Sequence, residues 1–285
     1  MACLHRAGHR VALLAPREPG SALVGPGPAE ARRLLPWEAA RTAELFTDAG
    51  ASAALRETLG GFEAAVVFSR DADLARNIGA VVPRVVVHDP LPPAGSGHAA
   101  VWLAHPLSSL GVPCDEGPPT LAPTHAERDQ VAALRRDLPD RFLAVHPGSG
   151  SPSKNWPADR FARVLDALGV DSFLLIEGPA DAEAAGVLRT RGRAVTARGL
   201  APRLLGAILA EAAAYVGNDS GVTHLAAAWG APTVALFGPT DPEVWSPVGP
   251  RVTIVRGPEG RMDGIEVGTV KGAVAPLLAK GTAGS

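Results

Sequence analysis

Three serines, two glycines and one lysine are strung along HPGSGSPSKNWP, residues 146–157. The run before it, RFLAVHPG, is apolar and reads as a buried strand. The run after it, ADRFARVLDALG, has helical periodicity, and Pro157 stands where a first helical turn tolerates proline. A strand, a loop of small residues and a helix N-terminus form a common anion site, because free backbone N–H groups and the helix dipole both favour negative charge. Ser149, Ser151 and Ser153 add hydroxyls to such a loop, and Lys154 adds a full positive charge. An ordinary β–α turn with a solvated lysine is the competing reading.

Three further polar clusters follow apolar runs. SFLLIEG leads into Glu177, Gly178 and Asp181, where Asp181 is either functional or the cap of the next helix. AAYVGNDSGVTHLAAAWG carries Asp219, Ser220 and Gly221 at a turn, then His224 one turn into a helix. That run supplies capping side chains and exposed N–H groups, a second phosphate cradle. His224 is either a packed helix histidine or a ligand contact. The last cluster, FGPTDP, brings Thr240 and Asp241 behind TVALF. A Walker-type loop, a G-x-G-x-x-G fingerprint, a G-x-S-x-G elbow and an H-E-x-x-H zinc helix are all missing.

The elements that position these clusters alternate. RVALLAP, AAVVFS and RVVVHD read as strands in the first part of the chain, with TAELFTDAG (42–50) the clearest helix between them. Residues 90–125 are rich in Pro, Gly and His and read as irregular structure around one helix near 99–110, then a linker. Beyond it FLAVHP, SFLLIEGP, RAVTA, AYVGND, TVALFGP and RVTIVRG are strands. Helices are expected near 157–168, 180–190, 201–212, 221–229 and 266–279. Such βαβ alternation predicts an α/β fold with parallel sheets, in two Rossmann-like domains over residues 1–120 and 121–285, with ligands beyond the carboxyl ends of the strands.

Composition sets the bounds. The chain has 285 residues, 46% hydrophobic and 20% charged, with a formal net charge of −2. That balance describes a soluble globular protein with no general attraction to nucleic acid or anionic lipid. Only Cys3 and Cys114 are present, far apart and without metal-ligand spacing, so neither a disulfide framework nor a zinc site is expected. The start MACLHRAGHRVALLAP does not read as a signal peptide, and no apolar stretch is long enough to span a membrane. A cytoplasmic protein is expected.

HPGSGSPSKNWP, IEGPAD and GNDSGVTHLAAAWGAPTVALFGPTDP follow, in order and spacing, the C-terminal half of the ADP-heptose:lipopolysaccharide heptosyltransferase family, glycosyltransferase family 9. RMDGIEVGTVKGAV resembles its closing segment. The likeness is strong over about 140–280 and diffuse over 1–120. It implies a GT-B architecture with the acceptor side N-terminal and the nucleotide-sugar side C-terminal, and a metal-independent, inverting transferase without a cofactor. Its expected partners are an ADP-sugar donor and a glycan or lipid-linked glycan acceptor, with peripheral association at the inner face of the cytoplasmic membrane. By position, Lys154 resembles the lysine that contacts the donor diphosphate, with Ser149, Ser151 and Ser153 in its loop. Asp219, Ser220, Gly221 and His224 match the Asp-(Ser/Thr)-Gly-x-x-His segment bordering diphosphate and sugar. Asp181 lies near the acidic position by the nucleoside, and Glu177 and Thr240 complete the expected donor-binding set.

One departure concerns the beginning. The family opens with a strand and a Gly-Asp-containing loop that supplies a carboxylate proposed as general base. MACLHRAGHRVALLAP resembles instead the end of the first helix and the second strand. A first strand is therefore expected to be missing, either because the true start lies upstream or because the chain is a divergent member, with a less complete N-terminal sheet, no assignable catalytic base, and poor or absent transfer beside retained nucleotide binding. Asp71 and Asp73 follow AAVVFSR, but nothing in their spacing marks them as a base. A nucleotide-sugar-binding protein without transfer activity is the alternative function. A GT-B epimerase would need carboxylates and a histidine in a pattern these motifs do not match.

Overall fold

The computed structural model describes residues 1–48, 50–114 and 121–279. The chain divides into two compact units, Met1–Gly117 and Pro118–Ser285.

The second unit is built on six parallel strands, β5 (Leu143–His146), β6 (Ser172–Glu177), β7 (Arg193–Arg198), β8 (Ala214–Asn218), β9 (Thr233–Phe237) and β10 (Val252–Arg256), in the spatial order β10-β9-β8-β5-β6-β7. The near-continuous apolar runs of β5, β8 and β9 are explained by their position: every residue in them is buried, as strands covered on both faces require. One face packs Phe161, Leu165, Val270 and Val274 of the helices Ala158–Leu168 and Val267–Ala279 against Leu143, Val145, Val216 and Leu236. The order runs outward in both directions from β5 and β8, whose carboxyl ends are therefore neighbours, the usual place for a ligand in such sheets.

The first unit is less regular. β1 (Ala12–Ala15) pairs in parallel with β2 (Arg33–Pro36), and β3 (Ala65–Phe68) with β4 (Val85–His88), as two separate two-stranded sheets. Both pairs feed one cluster, in which Leu14, Leu35, Val67 and Val85 meet Leu45, Leu55, Leu74 and Ile78. These four-residue strands are only half-buried, and Phe68 and Val87 stay exposed. The helix expected over 42–50 is a single turn, Ala40–Ala43, running into a 3-10 turn, Glu44–Phe46.

One element is added here and one expectation corrected. The helix His125–Arg136, directly after the Pro-rich stretch 90–125, has no counterpart among the helices expected from the sequence. Its signal is the capping box Thr124–Glu127, in which each side chain accepts a backbone N–H of the other. The two cysteines, not expected to pair, form a Cys3–Cys114 disulfide. A separation of 111 residues hides the pair in sequence, and the fold joins it by packing Cys3 with Leu107 and Val112. Among the described residues no helix is long and apolar enough to cross a membrane.

Candidate functional site

The loop after β5 does not stay open. Ser149 Oγ–H donates to the Ser151 carbonyl at 2.7 Å, the Ser151 N–H returns to Ser149 Oγ at 3.2 Å, and the Ser151 and Ser153 hydroxyls bond each other at 3.0 Å. This local network tightens Pro152–Lys154 into a 3-10 turn, and Pro157 becomes the N-cap of a helix that begins at Ala158. Asn218 clamps the loop from the end of β8: its Nδ2 donates to the Pro147 carbonyl at 2.7 Å and its Oδ1 accepts the Trp156 N–H at 3.0 Å. The fully buried Asn218 was not singled out from sequence, though a polar residue closing an apolar strand is a readable signal.

The 3-10 turn delivers Lys154 to Asp219, with Nζ 3.0 Å from Oδ2. Lys154 is thus a paired cation, neither a solvated lysine nor a lone charge in a serine loop. Asp219 is 8% exposed, and His224 Nε2 stands 3.8 Å from its Oδ1, too long for a full hydrogen bond. Burial alone would raise the Asp219 pKa; His224, Lys154 and Thr240 around the carboxylate overcome this and hold it down at about 2. Asp219 does not cap the helix that follows. Ser220 does, accepting the Thr223 N–H at the start of Gly221–Ala228. Open space lies over Gly150 and Gly221, where an added Cβ would meet nothing within 4 Å. An ammonium, a helix N-terminus and two unobstructed glycines therefore surround one region.

Two expected donor contacts are engaged elsewhere. Glu177 is buried with its oxygens on Arg189 and Arg198, and these arginines keep its carboxyl below the usual range although burial works against them. Asp181 begins the helix Ala182–Arg189 without capping it by its side chain. Its Oδ2 instead accepts His146 Nε2–H at 3.0 Å and the Gly178 N–H at 2.9 Å, and these partners, His146 first, lower its pKa. Asp181 is packed directly against Gly148, so that a Cβ at 148 would lie inside the carboxylate. We expect Gly148→Ala to cost roughly 3 kcal/mol, because it must displace a buried, hydrogen-bonded charge. Urea denaturation measures this, and a loss below about 1 kcal/mol would show that the loop simply moves aside.

The low Asp219 pKa has a sign. A carboxylate stronger as an acid when folded stabilises the fold above its unfolded pKa and ceases to do so as pH falls through the folded value. Asp219 should thus contribute about 2 kcal/mol that is present above roughly pH 4 and disappears toward pH 2. In Asp219→Asn that part of the acid-induced stability loss should be missing from denaturation curves taken across this window.

Beside the loop, Ser153, Asn155, Pro157, Pro239, Arg261 and Met262 line a shallow cavity of about 350 Å³. Asn155 Oδ1 is buried there without a hydrogen-bond partner. Among the described residues no cluster of His, Cys, Asp or Glu is arranged to hold a metal ion.

Residues 97–272 match the family described as Glycosyltransferase family 9 (heptosyltransferase). The chain belongs to glycosyltransferase family 9. Lipooligosaccharide heptosyltransferase 2 of Haemophilus influenzae is 28% identical over 165 residues, 54% of this chain and 47% of that protein. Lipopolysaccharide heptosyltransferase 3 of Escherichia coli is 33% identical over 129 residues, 40% of this chain and 37% of that protein. The chain thus matches about half or less of the length of these relatives. Among solved structures, a family 9 glycosyl transferase from Veillonella parvula superposes with a TM-score of 0.78 at 20% identity, covering 97% of this chain and 90% of that one. The E. coli ADP-heptose heptosyltransferase II gives 0.73 at 19% identity over 97% and 92%, and E. coli heptosyltransferase WaaC with ADP gives 0.68 at 18% over 96% and 92%. The fold of this family 9 chain is accordingly the GT-B one, two α/β units with parallel sheets.

Proposed function

We propose that the chain is an inverting, metal-independent glycosyltransferase that moves a heptose or related sugar from an ADP-sugar to a lipopolysaccharide-core or other glycan acceptor, at the inner face of the cytoplasmic membrane. The observation that carries this reading is the convergence of Lys154, Asp219, His224, Thr240 and the N-terminus of Gly221–Ala228 at the carboxyl ends of adjacent strands. A nucleoside diphosphate gains charge as it leaves the sugar. Fixed N–H dipoles and one ammonium meet that charge without reorganisation. Adenine as the base is supported by the resemblance to a heptosyltransferase solved with ADP. Ser149, Ser151 and Ser153 shape the loop that carries Lys154, and Thr240 holds Asp219.

A second reading, binding of the nucleotide-sugar without transfer, is supported by the acids of the first unit. Asp71 Oδ1 accepts the N–H groups of Asp73 and Leu74 as a helix cap, and Asp73 pairs with Arg76, so both carboxylates are engaged in contacts local to their helix. ADP release from ADP-heptose, followed with and without a lipopolysaccharide-core acceptor and with EDTA present, separates the readings. Acceptor-dependent release that survives EDTA, slow for want of an assigned base and with an inverted anomeric centre in the product, is the expected result. Tight ADP binding without acceptor-dependent release would establish the second reading.

A further inference from the structure

Beneath the proposed diphosphate region runs a buried chain of hydrogen bonds that crosses three strands. Asp181 Oδ2 accepts His146 Nε2–H at 3.0 Å, and both residues are about 5% exposed. The other ring nitrogen, Nδ1, lies 3.3 Å from Ser220 Oγ. Ser220 Oγ accepts the Thr223 N–H, the Tyr215 hydroxyl donates to Thr223 Oγ1 at 2.9 Å, and Thr223 O–H donates to the Asn218 carbonyl.

A carboxylate only accepts, so Nε2 must carry a proton. In a neutral imidazole Nδ1 is then an acceptor. The Thr223 hydroxyl hydrogen is spent on Asn218, so the single O–H of Ser220 goes either to Nδ1 or to Thr223 Oγ1, 3.2 Å away. Either way it is directed inward. With that hydroxyl turned outward, toward a phosphate oxygen at the helix N-terminus, Nδ1 keeps Ser220 as a partner only as a donor, which means that His146 has gained a proton. The imidazolium then bonds Ser220 Oγ through Nδ1–H and Asp181 through Nε2–H, and every partner remains satisfied.

We propose that His146 is a positioning residue that takes up a proton from solvent when a nucleoside diphosphate binds, releasing the Ser220 hydroxyl to the phosphate while Asp181 holds the resulting imidazolium. This rests on the donor-site reading above. The groups facing His146 suit it. Asp181 approaches from the loop after β6 and supplies the compensating charge. Tyr215, on neighbouring β8, is fully buried, and its phenol is pushed far above its usual range, so it stays neutral. Asp219, next to Ser220, is already balanced by Lys154. His224 is the other titratable ring nearby and is 44% exposed. It is the competing proton acceptor.

The test is calorimetry of ADP binding to the full chain at pH 7.5–8, in buffers of different ionisation heat; phosphate monoesters, with a second pKa of about 6, are already ionised there. The expected result is uptake of up to about one proton per ADP, with affinity falling by as much as about tenfold per pH unit as pH rises. In His146→Gln, ADP should still bind, more weakly, with the buffer dependence gone. Asp181→Asn, which keeps the ring but removes its counter-charge, should also reduce the uptake and serves if His146→Gln does not fold. ADP binding by the unaltered protein with no buffer dependence would overturn this inference and leave the donor site standing. Uptake that persists in His146→Gln and vanishes in His224→Gln would overturn it in favour of His224. Failure of ADP to bind at all would remove the donor-site reading and this inference with it.

Discussion

Lys154→Ala should weaken ADP binding by about a hundredfold or more, close to 3 kcal/mol, the upper range for a charge-assisted contact. The reason lies in its pairing. Removing a solvated lysine would delete one attraction. Removing this one also leaves Asp219 ionised, nearly buried and unneutralised beside the incoming diphosphate. The loss in folding stability should be smaller, about 1 kcal/mol, since Asp219 keeps Thr240 and His224 as partners. The double variant Lys154→Ala/Asp219→Asn separates the two effects: with the repelling carboxylate gone, it should bind ADP more tightly than Lys154→Ala alone. Calorimetry of the three proteins checks this. Equal affinities for the single and double variants would mean that Asp219 does not face the diphosphate.

Trp156→Ala should be the costliest change to the fold, at about 3–5 kcal/mol. The indole is 1% exposed and meets the Phe161 ring edge-on at 4.9 Å. Its Nε1–H donates to the Ile265 carbonyl at 3.1 Å. It therefore ties the loop after β5 to the segment before the last helix, and truncation leaves a cavity and removes one of the two donors to that carbonyl, the other being Arg160 Nη1 at 2.8 Å. Trp156→Phe, which keeps the ring but loses the donor, should fall between. Urea denaturation gives the order. A truncation that costs less than about 1 kcal/mol would show that the core closes over the gap.

The β5, β6, β8 and β9 strands were legible because strands buried on both faces must be continuously apolar, and few other demands produce such runs at this spacing. The polar clusters were legible for a related reason: residues that follow such a strand lie at the ligand-bearing edge of a parallel sheet wherever the intervening helices lead. The helix His125–Arg136 was not legible from periodicity, because Val131 is its one buried residue, although Thr124 and Glu127 spell out its cap. In the first unit β1, β3 and β4 were legible as short apolar runs, whereas Arg33–Pro36, which mixes Arg and Pro with two leucines, went unrecognised, and its pairing with β1 is set by packing around Leu35.

Local sequence determined the α/β class, the order of strands and helices, and which loops collect small polar residues, since each of these follows from propensity and hydrophobic period over a few neighbours. Pairing belonged to the tertiary structure. The partners in Lys154–Asp219, His146–Asp181 and Cys3–Cys114 are 65, 35 and 111 residues apart. Nothing local distinguishes the Asp181 that lies under Gly148 from one that would cap its own helix, or the Glu177 held by two arginines from one open to a ligand. Side-chain charge is written in the sequence. Whether it is spent on a neighbour or left for a ligand depends on which strands lie side by side, and the burial of a whole sheet decides that.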